Sequence, residues 1–163
     1  MGVFSLYRPK HPLKVHVWAG ISLTGRTGIC IFQGTMNKEV YVDILERTLC
    51  PFIRDVYPHS HKFFQDNDPK HTSRYAASFM ARKGINWWKS PPESPDLNPI
   101  ENLWHELKEF LRREIKPQTK QELVDGINTF WNTVDVAKCT HYIRHLRKVI
   151  PKVIELKGDA TGY

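Results

Sequence analysis

Short apolar runs alternate with polar turns in the first part of the chain. The segments KVHVWAGIS (14–22) and TGICIFQG (27–34) are rich in β-branched and aromatic residues, and a turn that contains Gly25 separates them. Two such runs around a short glycine turn are typical of a β-hairpin. We therefore predict two antiparallel strands in this region.

A helical period follows the hairpin. In residues 37–57 the apolar positions recur every three or four residues, with Asn37 placed as an N-cap and Pro51 as a kink or break. Next come HKFFQD (61–66) and INWWK (85–89), which predict strands. The segment between them, SRYAASFMARKG, predicts a helix that ends at Gly84. A strand, a helix and a strand in succession predict a parallel pair.

Three amphipathic segments occupy the last third of the chain, at 100–115, 119–134 and 137–156. The second begins with Thr119 and carries Glu122 three residues later, which is the pattern of a capping box. Mixed strands followed by helices indicate an α/β layered domain.

Length and charge narrow the function classes. The 163 residues suit one globular domain, and 40% of them are hydrophobic. Lys and Arg outnumber Asp and Glu by 24 to 17, which gives a formal net charge of +7. This charge favours a polyanionic partner, although many basic proteins bind nothing anionic.

Cysteine usage and hydropathy bear on location. The three cysteines lie far apart without a C-x-x-C pair, so they suggest neither a disulfide framework nor a zinc site. The sequence has no apolar run of roughly 18 residues, and residues 1–13 lack the apolar core of a signal peptide. We expect an intracellular protein in a reducing compartment, without a membrane span.

Two polar stretches carry candidate chemistry. In FFQDNDPKHTS, Asp66 ends a predicted strand whose helical crossover leads to a parallel neighbour. Its side chain should lie at the carboxyl edge of a sheet, where α/β proteins place their sites. The alternative is that Asp66 is only a turn acid, as Asp68 before Pro69 is expected to be.

The second stretch, SPDLNPIENLW, contains Glu101, with 34 residues between it and Asp66. Asn98, Pro99 and Glu101 together form a capping-box pattern, so Glu101 could act only as part of a helix cap. One crossover and one loop separate the two acids, and this length of chain can bring them together. Two converging carboxylates repel each other, and a divalent cation between them removes that repulsion.

These stretches resemble the transposases of the Tc/mariner superfamily. The motifs QDNDPKHTS and SPDLNPIENLWHELK, together with KHPLKVHVWAGIS and NWW…PPESPDLNP, occur in the order and at the separation of that family. The resemblance covers roughly residues 10–163. It implies a ribonuclease-H-like domain in which two Asp and one further acid hold two Mg²⁺ ions.

By this resemblance Asp66 is the second acid and Glu101 the third, and both are catalytic metal ligands. The two-ion chemistry implied is hydrolysis of phosphodiesters at transposon ends, followed by strand transfer, with Mg²⁺ or Mn²⁺ as cofactor. One ion activates the attacking water or 3′ hydroxyl, and the other stabilises the leaving oxygen. DNA is the implied partner, a homodimer is compatible with it, and the nucleus is the implied location.

The sequence departs from the family pattern at its beginning. The first acid of the family lies on the first strand, upstream of the hairpin, but residues 1–38 contain neither Asp nor Glu. We therefore expect the first central strand to be missing, residues 1–13 to be a non-matching or remnant leader and 14–163 to be the catalytic domain. The alternative is that GVFSLY fills the place of this strand. The family's amino-terminal helix-turn-helix modules have no counterpart in these residues.

Other polar and aromatic residues are secondary candidates. His71 could orient a phosphate or a metal-bound water, and the alternative favoured is a turn histidine that caps the next helix. Asn98 is expected to cap the helix that presents Glu101. Of Trp87 and Trp88, one could stack on DNA, but a place in the core is favoured for both.

A basic helix face completes the candidate set. Its cations could contact DNA phosphates, although such a face is usually only solvated. The residues are Arg144, Arg147, Lys148 and Lys152.

From these observations we expect a transposase-derived domain that is inactive alone because it lacks the first catalytic Asp. Two alternatives remain: a non-catalytic remnant that binds nucleic acid or a protein partner, and a relic reading frame without a stable fold.

Overall fold

The computed structural model describes residues 2–6, 13–89 and 97–155, with the backbone alone at 2–6, 89, 152 and 153. The chain forms two compact units. The first unit contains Met1–Gly34 and Pro99–Leu146, and the second contains Thr35–Asn98 and Arg147–Tyr163. No helix within the described ranges is long and apolar enough to cross a membrane.

Seven strands and six α-helices make up the described chain. The strands are β1 (Gly2–Leu6), β2 (Leu13–Trp18), β3 (Ile21–Ser22), β4 (Gly25–Arg26), β5 (Cys30–Phe32), β6 (Phe63–Gln65) and β7 (Trp87–Lys89). The helices are α1 (Lys38–Ile44), α2 (Cys50–Val56), α3 (Arg74–Arg82), α4 (Pro99–Phe110), α5 (Lys120–Thr133) and α6 (Val136–Glu155). Short π-helical segments, Leu45–Leu49 and Leu111–Ile115, follow α1 and α4.

The first unit contains an antiparallel sheet in the order β1-β2-β5. β1 pairs with β2 along its whole length, from Gly2 opposite Val17 to Leu6 opposite Leu13. The expectation that no strand precedes the hairpin is therefore wrong, because residues 2–6 form one. The alternative that GVFSLY fills the central place of the family's first strand stays a prediction, because β1 pairs with β2 alone among the described strands. β-Branched and aromatic residues such as Val3 and Phe4 favour extended backbone whether or not an acid is present. The strand still contains no carboxylate.

The predicted hairpin is confirmed, with a tight tip formed by β3 and β4. Gly25 has a φ of 134°, which a residue with a side chain rarely adopts. Below the tip, the backbone N–H of Gly20 donates to the Thr27 hydroxyl at 2.8 Å, and the backbone N–H of Thr27 donates to the Gly20 carbonyl at 2.9 Å. The Trp131 indole N–H donates to the Thr27 carbonyl at 3.2 Å. These bonds fix the hairpin base against α5.

The core of the first unit lies between β2 and the apolar faces of α4 and α5. Two indoles, Trp104 and Trp131, stack in its centre with 5.8 Å between ring centroids. At the start of α5 the Thr119 hydroxyl accepts from the backbone N–H of Glu122 at 3.1 Å, and the predicted capping box is complete. The most deeply buried core residues include Val15, Val17, Leu103, Leu107, Leu111, Leu123 and Ile127.

A half-buried polar cluster joins α4 to α6. The Lys138 ammonium donates to Oε1 of Glu106 at 2.5 Å, and the Tyr142 hydroxyl donates to Oε2 of Glu106 at 2.6 Å. Lys138 also lies 4.9 Å from the centroid of the Phe130 ring. We call Glu106, Lys138 and Tyr142 the Glu106 cluster.

The second unit follows the predicted strand, helix and strand order. β6 and β7 are parallel, with Phe63 opposite Trp87. Asn37 caps α1 by accepting from the backbone N–H of Val40 at 2.8 Å. Gly84 closes α3 with a φ of 66°. The buried side chains of this unit include Tyr41, Val42, Leu45, Leu49, Phe79 and Met80.

Candidate active site around Asp66

Asp66 follows the last residue of β6, where the backbone turns toward α3. Its Oδ1 accepts from the backbone N–H of Asp68 at 3.2 Å, which forms an Asx-turn. The same oxygen accepts from Nδ1 of His71 at 2.5 Å. The side chain is 41% exposed. Asp66 therefore acts as a turn acid, and it also keeps a solvent-accessible carboxylate.

His71 is buried and packs behind Asp66. Its backbone N–H donates to the Asp68 carbonyl at 2.9 Å, and this turn directs the imidazole toward the Asp66 carboxylate. The interpretation of His71 as the cap of the next helix is wrong, because the N-cap of α3 is Ser73. The Ser73 hydroxyl accepts from the backbone N–H of Ala76 at 3.2 Å.

Tyr41 and Gln65 hold His71 from the interior. The rings of Tyr41 and His71 are 4.1 Å apart between centroids, at an angle of 31°. The Tyr41 hydroxyl donates to Oε1 of Gln65, and Nε2 of Gln65 donates to the His71 carbonyl at 3.2 Å. We call Tyr41, Gln65, Asp66 and His71 the Asp66 cluster.

The electrostatics of this cluster favour an ionised Asp66. Burial alone raises the pKa of Asp66, but the hydrogen bond from His71 and the attraction of its charge outweigh burial and lower the pKa to about 2. Burial, together with the charges of Asp66 and Asp68, raises the pKa of Tyr41 far above its usual value. The phenol is therefore neutral and remains a hydrogen-bond donor.

Asp68 lies close to this cluster, but both of its carboxylate oxygens are occupied. Oδ1 accepts from the backbone N–H of Lys70 at 2.9 Å, and Oδ2 accepts from the Lys70 ammonium at 2.8 Å. The prediction that Asp68 is a turn former is confirmed, and its oxygens are less available to a ligand than those of Asp66.

Glu101 lies in the first turn of α4 and is half-buried. Asn98 directly precedes Pro99, the first residue of that helix, which is the position predicted for its cap. Asp66 belongs to the second unit and Glu101 to the first, and their convergence stays a prediction. Across the described ranges, no group of three or more His, Cys, Asp or Glu side chains could hold a metal ion.

The predicted basic face lies on α6. Arg144, Arg147 and Lys148 are exposed, whereas the Lys152 side chain lies outside the described residues. Their role in DNA contact stays a prediction.

The two tryptophans of β7 differ in exposure. Trp87 is half-buried, but Trp88 is 54% exposed, so the interpretation of Trp88 as a core residue is wrong. Phe64, its neighbour on β6, is 48% exposed, and the Lys62 ammonium lies 4.7 Å from the Trp88 ring centroid. Strand alternation could predict that the two tryptophans face opposite sides, but not which side is covered.

Comparison with known proteins identifies the family. The sequence profile of the DDE superfamily endonuclease family matches residues 5–124. The chain belongs to this family. The Tcb1 transposase of Caenorhabditis briggsae is 35% identical over 150 residues, which cover 92% of this chain and 55% of that protein. The Tc1 transposase of Caenorhabditis elegans is 30% identical over an alignment of 169 residues, gaps included, which covers 99% of this chain and 62% of that protein. The resemblance to Tc/mariner transposases is thus confirmed.

The chain spans about half the length of the curated relatives that it matches. Solved structures of Mos1 mariner transposase share its fold at low identity. The Mos1 catalytic domain matches with a TM-score of 0.83 at 18% identity, over 98% of this chain and 81% of that chain. A Mos1 paired-end complex with the left transposon end matches with a TM-score of 0.82 at 19% identity, over 99% of this chain and 49% of that chain. The predicted ribonuclease-H-like α/β class is confirmed.

Sequence reasoning found two of the four residues of the Asp66 cluster and missed Tyr41 and Gln65. Both missed residues lie in predicted elements, where their polar groups gave no separate signal. Tyr41 precedes Gln65 by 24 residues, and only the tertiary packing of α1 against β6 brings them together. The predicted division of the chain at residue 13 stays a prediction.

Proposed function

We propose that this chain is part of a metal-dependent transposase catalytic domain that cleaves DNA phosphodiesters and transfers strands at transposon ends. The carboxylate of Asp66 is the observation that carries the proposal. It is ionised, partly exposed and located at the carboxyl end of a strand, in a family of endonucleases. Sites of α/β proteins concentrate at such strand ends.

The residues present suit a divalent cation. Mg²⁺ and Mn²⁺ prefer oxygen ligands, and an ionised Asp supplies one without first losing a proton. Mos1 transposase catalytic-domain structures have been solved with Mg and with Mn. Asp66 and Glu101 are the proposed ligands. When bound in pairs, such ions activate the attacking oxygen and stabilise the leaving oxygen.

We further propose that this chain by itself does not cleave DNA. A two-ion site requires a third acid, and neither β1 nor any other part of residues 1–38 contains Asp or Glu. Loss of one ion removes either activation of the nucleophile or stabilisation of the leaving group. Each tenfold loss in rate corresponds to about 1.4 kcal/mol in the barrier.

A nicking assay with Mg²⁺ on an intact and a pre-nicked transposon end tests both proposals. We expect no cleavage by the unaltered chain, and cleavage when a segment carrying a strand with the first Asp is fused to residue 13 in place of β1. Cleavage should disappear again in the fused chain with Asp66→Asn or Glu101→Gln. Robust cleavage by the unfused chain would show that another residue supplies the third ligand.

Glu109→Gln in the fused chain is a matched control for Glu101→Gln. Glu109 lies on the same helix, α4, but its carboxylate pairs with Arg112 at 2.9 Å and Arg113 at 3.0 Å. This variant should cleave normally. If Glu101→Gln also cleaves normally, Glu101 is only a helix cap.

A second candidate function is DNA binding without chemistry. The absence of an acid from residues 1–38 and the exposed cations Arg144, Arg147 and Lys148 favour it. DNA binding through such cations releases counterions, so the affinity should fall steeply with salt and should not depend on sequence. DNA is the proposed partner in both cases, and the nucleus is the proposed location.

Cleavage by the fused chain distinguishes this second candidate from the first, and competition binding tests whether DNA binding depends on sequence. The fused chain should fail to cleave DNA if only binding has survived, although it would still bind random duplex. Lys148→Glu should weaken that binding, whereas Lys120→Glu on the exposed start of α5 should weaken it less. A clear preference for transposon ends over random duplex would contradict sequence-independent binding.

A further inference from the structure

The two oxygens of the Asp66 carboxylate have different surroundings. Oδ1 accepts both hydrogen bonds of this group, from Nδ1 of His71 and from the backbone N–H of Asp68. Oδ2 accepts none from the described residues. The carboxylate is therefore anchored through one oxygen, and the other oxygen remains available to a ligand.

His71 provides the stronger of the two anchors. The imidazole is only 3% exposed, and its Nδ1 lies 2.5 Å from Oδ1 of Asp66. Because a carboxylate without its proton can only accept, Nδ1 is the donor in this bond. A short hydrogen bond to a charged acceptor restrains the carboxylate more tightly than a bond between neutral groups.

The imidazole is itself held in place from the protein interior. Its Nε2 is buried and makes no hydrogen bond with the described residues. The ring orientation therefore depends on the Nδ1 bond and on packing against Tyr41. Gln65 donates a hydrogen bond to the His71 carbonyl and accepts one from the Tyr41 hydroxyl. Tyr41, Gln65 and His71 therefore form a support behind Asp66.

We propose that His71 is a positioning residue that fixes Asp66 so that Oδ2 is presented to a divalent cation. Tyr41 and Gln65 maintain the orientation of the imidazole. This inference rests on the proposed metal-dependent function and assigns a role that chain position alone does not give. His71 does not bind the cation itself, because Asp66 occupies Nδ1 and the protein interior covers Nε2. Loss of such supporting hydrogen bonds typically lowers metal affinity by about 10- to 100-fold.

Mn²⁺ affinity is the direct readout, measured on the full chain by paramagnetic resonance of the free ion. We expect His71→Leu to lower the affinity by about 10- to 100-fold. His71→Asn should keep it within a few-fold of the original, because the Asn amide can donate from nearly the position of Nδ1. If His71→Asn keeps the Mn²⁺ affinity that His71→Leu loses, the loss comes from the missing hydrogen bond and not from altered packing. An equal loss of affinity in both variants would overturn the positioning role.

Two further measurements separate a positioning role from a merely structural one. Thermal unfolding without metal identifies a temperature at which every variant is folded, and affinities are compared there. Tyr41→Phe keeps the ring packing and loses the bond to Gln65, so it should lower Mn²⁺ affinity by only a few-fold. If His71→Leu does not fold, an unchanged affinity in Tyr41→Phe together with a large loss in His71→Asn would overturn the proposal.

Asp66→Asn distinguishes failure of this inference from failure of the proposed function. If Asp66→Asn abolishes Mn²⁺ binding and His71→Leu leaves it unchanged, the positioning role is overturned and the metal site stands. If Asp66→Asn binds Mn²⁺ as the original chain does, or if the original chain binds none, both are overturned. Asp68→Asn is the matched control, because Lys70 occupies both Asp68 oxygens. Its Mn²⁺ affinity should stay within a few-fold of the original.

Discussion

The Asp66 and Glu106 clusters contain carboxylates of nearly equal exposure, 41% for Asp66 and 38% for Glu106. Hydrogen bonds lower the pKa of both groups below the usual range despite the opposing effect of burial. The two clusters differ in how many oxygens are occupied. Lys138 and Tyr142 occupy both oxygens of Glu106, whereas the hydrogen bonds that Asp66 accepts from the described residues fall on Oδ1 alone.

This comparison distinguishes a structural acid from a candidate ligand. A lowered pKa indicates that a carboxylate has partners, but such shifts also occur in structural ion pairs. An oxygen without a partner indicates that the carboxylate can accept a further ligand. We therefore expect changes in the Glu106 cluster to alter stability and changes in the Asp66 cluster to alter metal affinity.

Lys138→Met should give the largest stability change. It removes the cation from Glu106 and from the face of the Phe130 ring, and leaves a half-buried carboxylate with Tyr142 as its remaining partner. We expect the free energy of unfolding to fall by about 1–2 kcal/mol, measured by urea denaturation. Mn²⁺ affinity should stay unchanged at a temperature where the variant is folded.

Lys83→Met is the matched control for Lys138→Met. Lys83 pairs with Glu46 at 2.8 Å, but both side chains are exposed. Exposed ion pairs contribute little to stability, because water screens the charges. The urea midpoint should therefore not change measurably. Equal losses of stability in the two variants would contradict the structural role of the Glu106 cluster.

Local rules predicted the caps and strands of this fold because each depends on a few neighbouring residues. Asn37, Gly84 and the Thr119 capping box occur where the sequence places them. The expectation of a missing strand failed because it relied on the absence of an acid, whereas strand formation depends on backbone propensity and pairing. A segment can form a strand without carrying an acid, as residues 2–6 do.

The candidate site was less predictable because its contacts are not local. Strand position identified Asp66, but the role of His71 depends on burial and on packing against Tyr41, 30 positions earlier in the chain. A histidine in a polar turn resembles a helix cap when only the sequence is known. Trp88 illustrates the same limit, since alternation along β7 does not reveal which face is covered.

Tyr142→Phe should give a smaller stability change than Lys138→Met. It removes one hydrogen bond from Glu106 but leaves the Lys138 pair, so we expect a loss of about 0.5–1.5 kcal/mol at neutral pH. Burial and the adjacent Glu106 raise the pKa of Tyr142 far above its usual value. Because the raised pKa belongs to the folded state, the contribution is complete below pH 10 and is lost as pH rises above it.

An ultraviolet titration of the phenols tests the same residue independently. Tyr41 and Tyr142 should both titrate late in the folded original chain, and Tyr142→Phe should remove one of these two late-titrating phenols. Tyr41→Phe is the comparison in the Asp66 cluster and should also remove a late-titrating phenol. If Tyr142→Phe leaves the late phase intact, the hydroxyl does not donate to Glu106 in solution.

The smallest expected effect is the acid dependence of the Glu106 contribution. Burial raises the pKa of Glu106, but the bonds from Lys138 and Tyr142 outweigh it, so the folded-state pKa lies below the usual 4.5. A lowered folded-state pKa stabilises the protein above pH 4.5, and this stabilisation is lost as pH falls below that value. Because Glu106 is 38% exposed, solvent screening should keep the effect below about 1 kcal/mol.

Urea denaturation of the original chain and of Glu106→Gln from neutral pH to pH 3 measures this acid dependence, with Glu109→Gln as control. The difference in unfolding free energy between the original chain and Glu106→Gln should shrink as pH falls through this range. A difference that stays constant would mean that the Glu106 carboxylate contributes no charge-dependent stability. The comparison with Asp66 would then depend only on how many carboxylate oxygens are occupied.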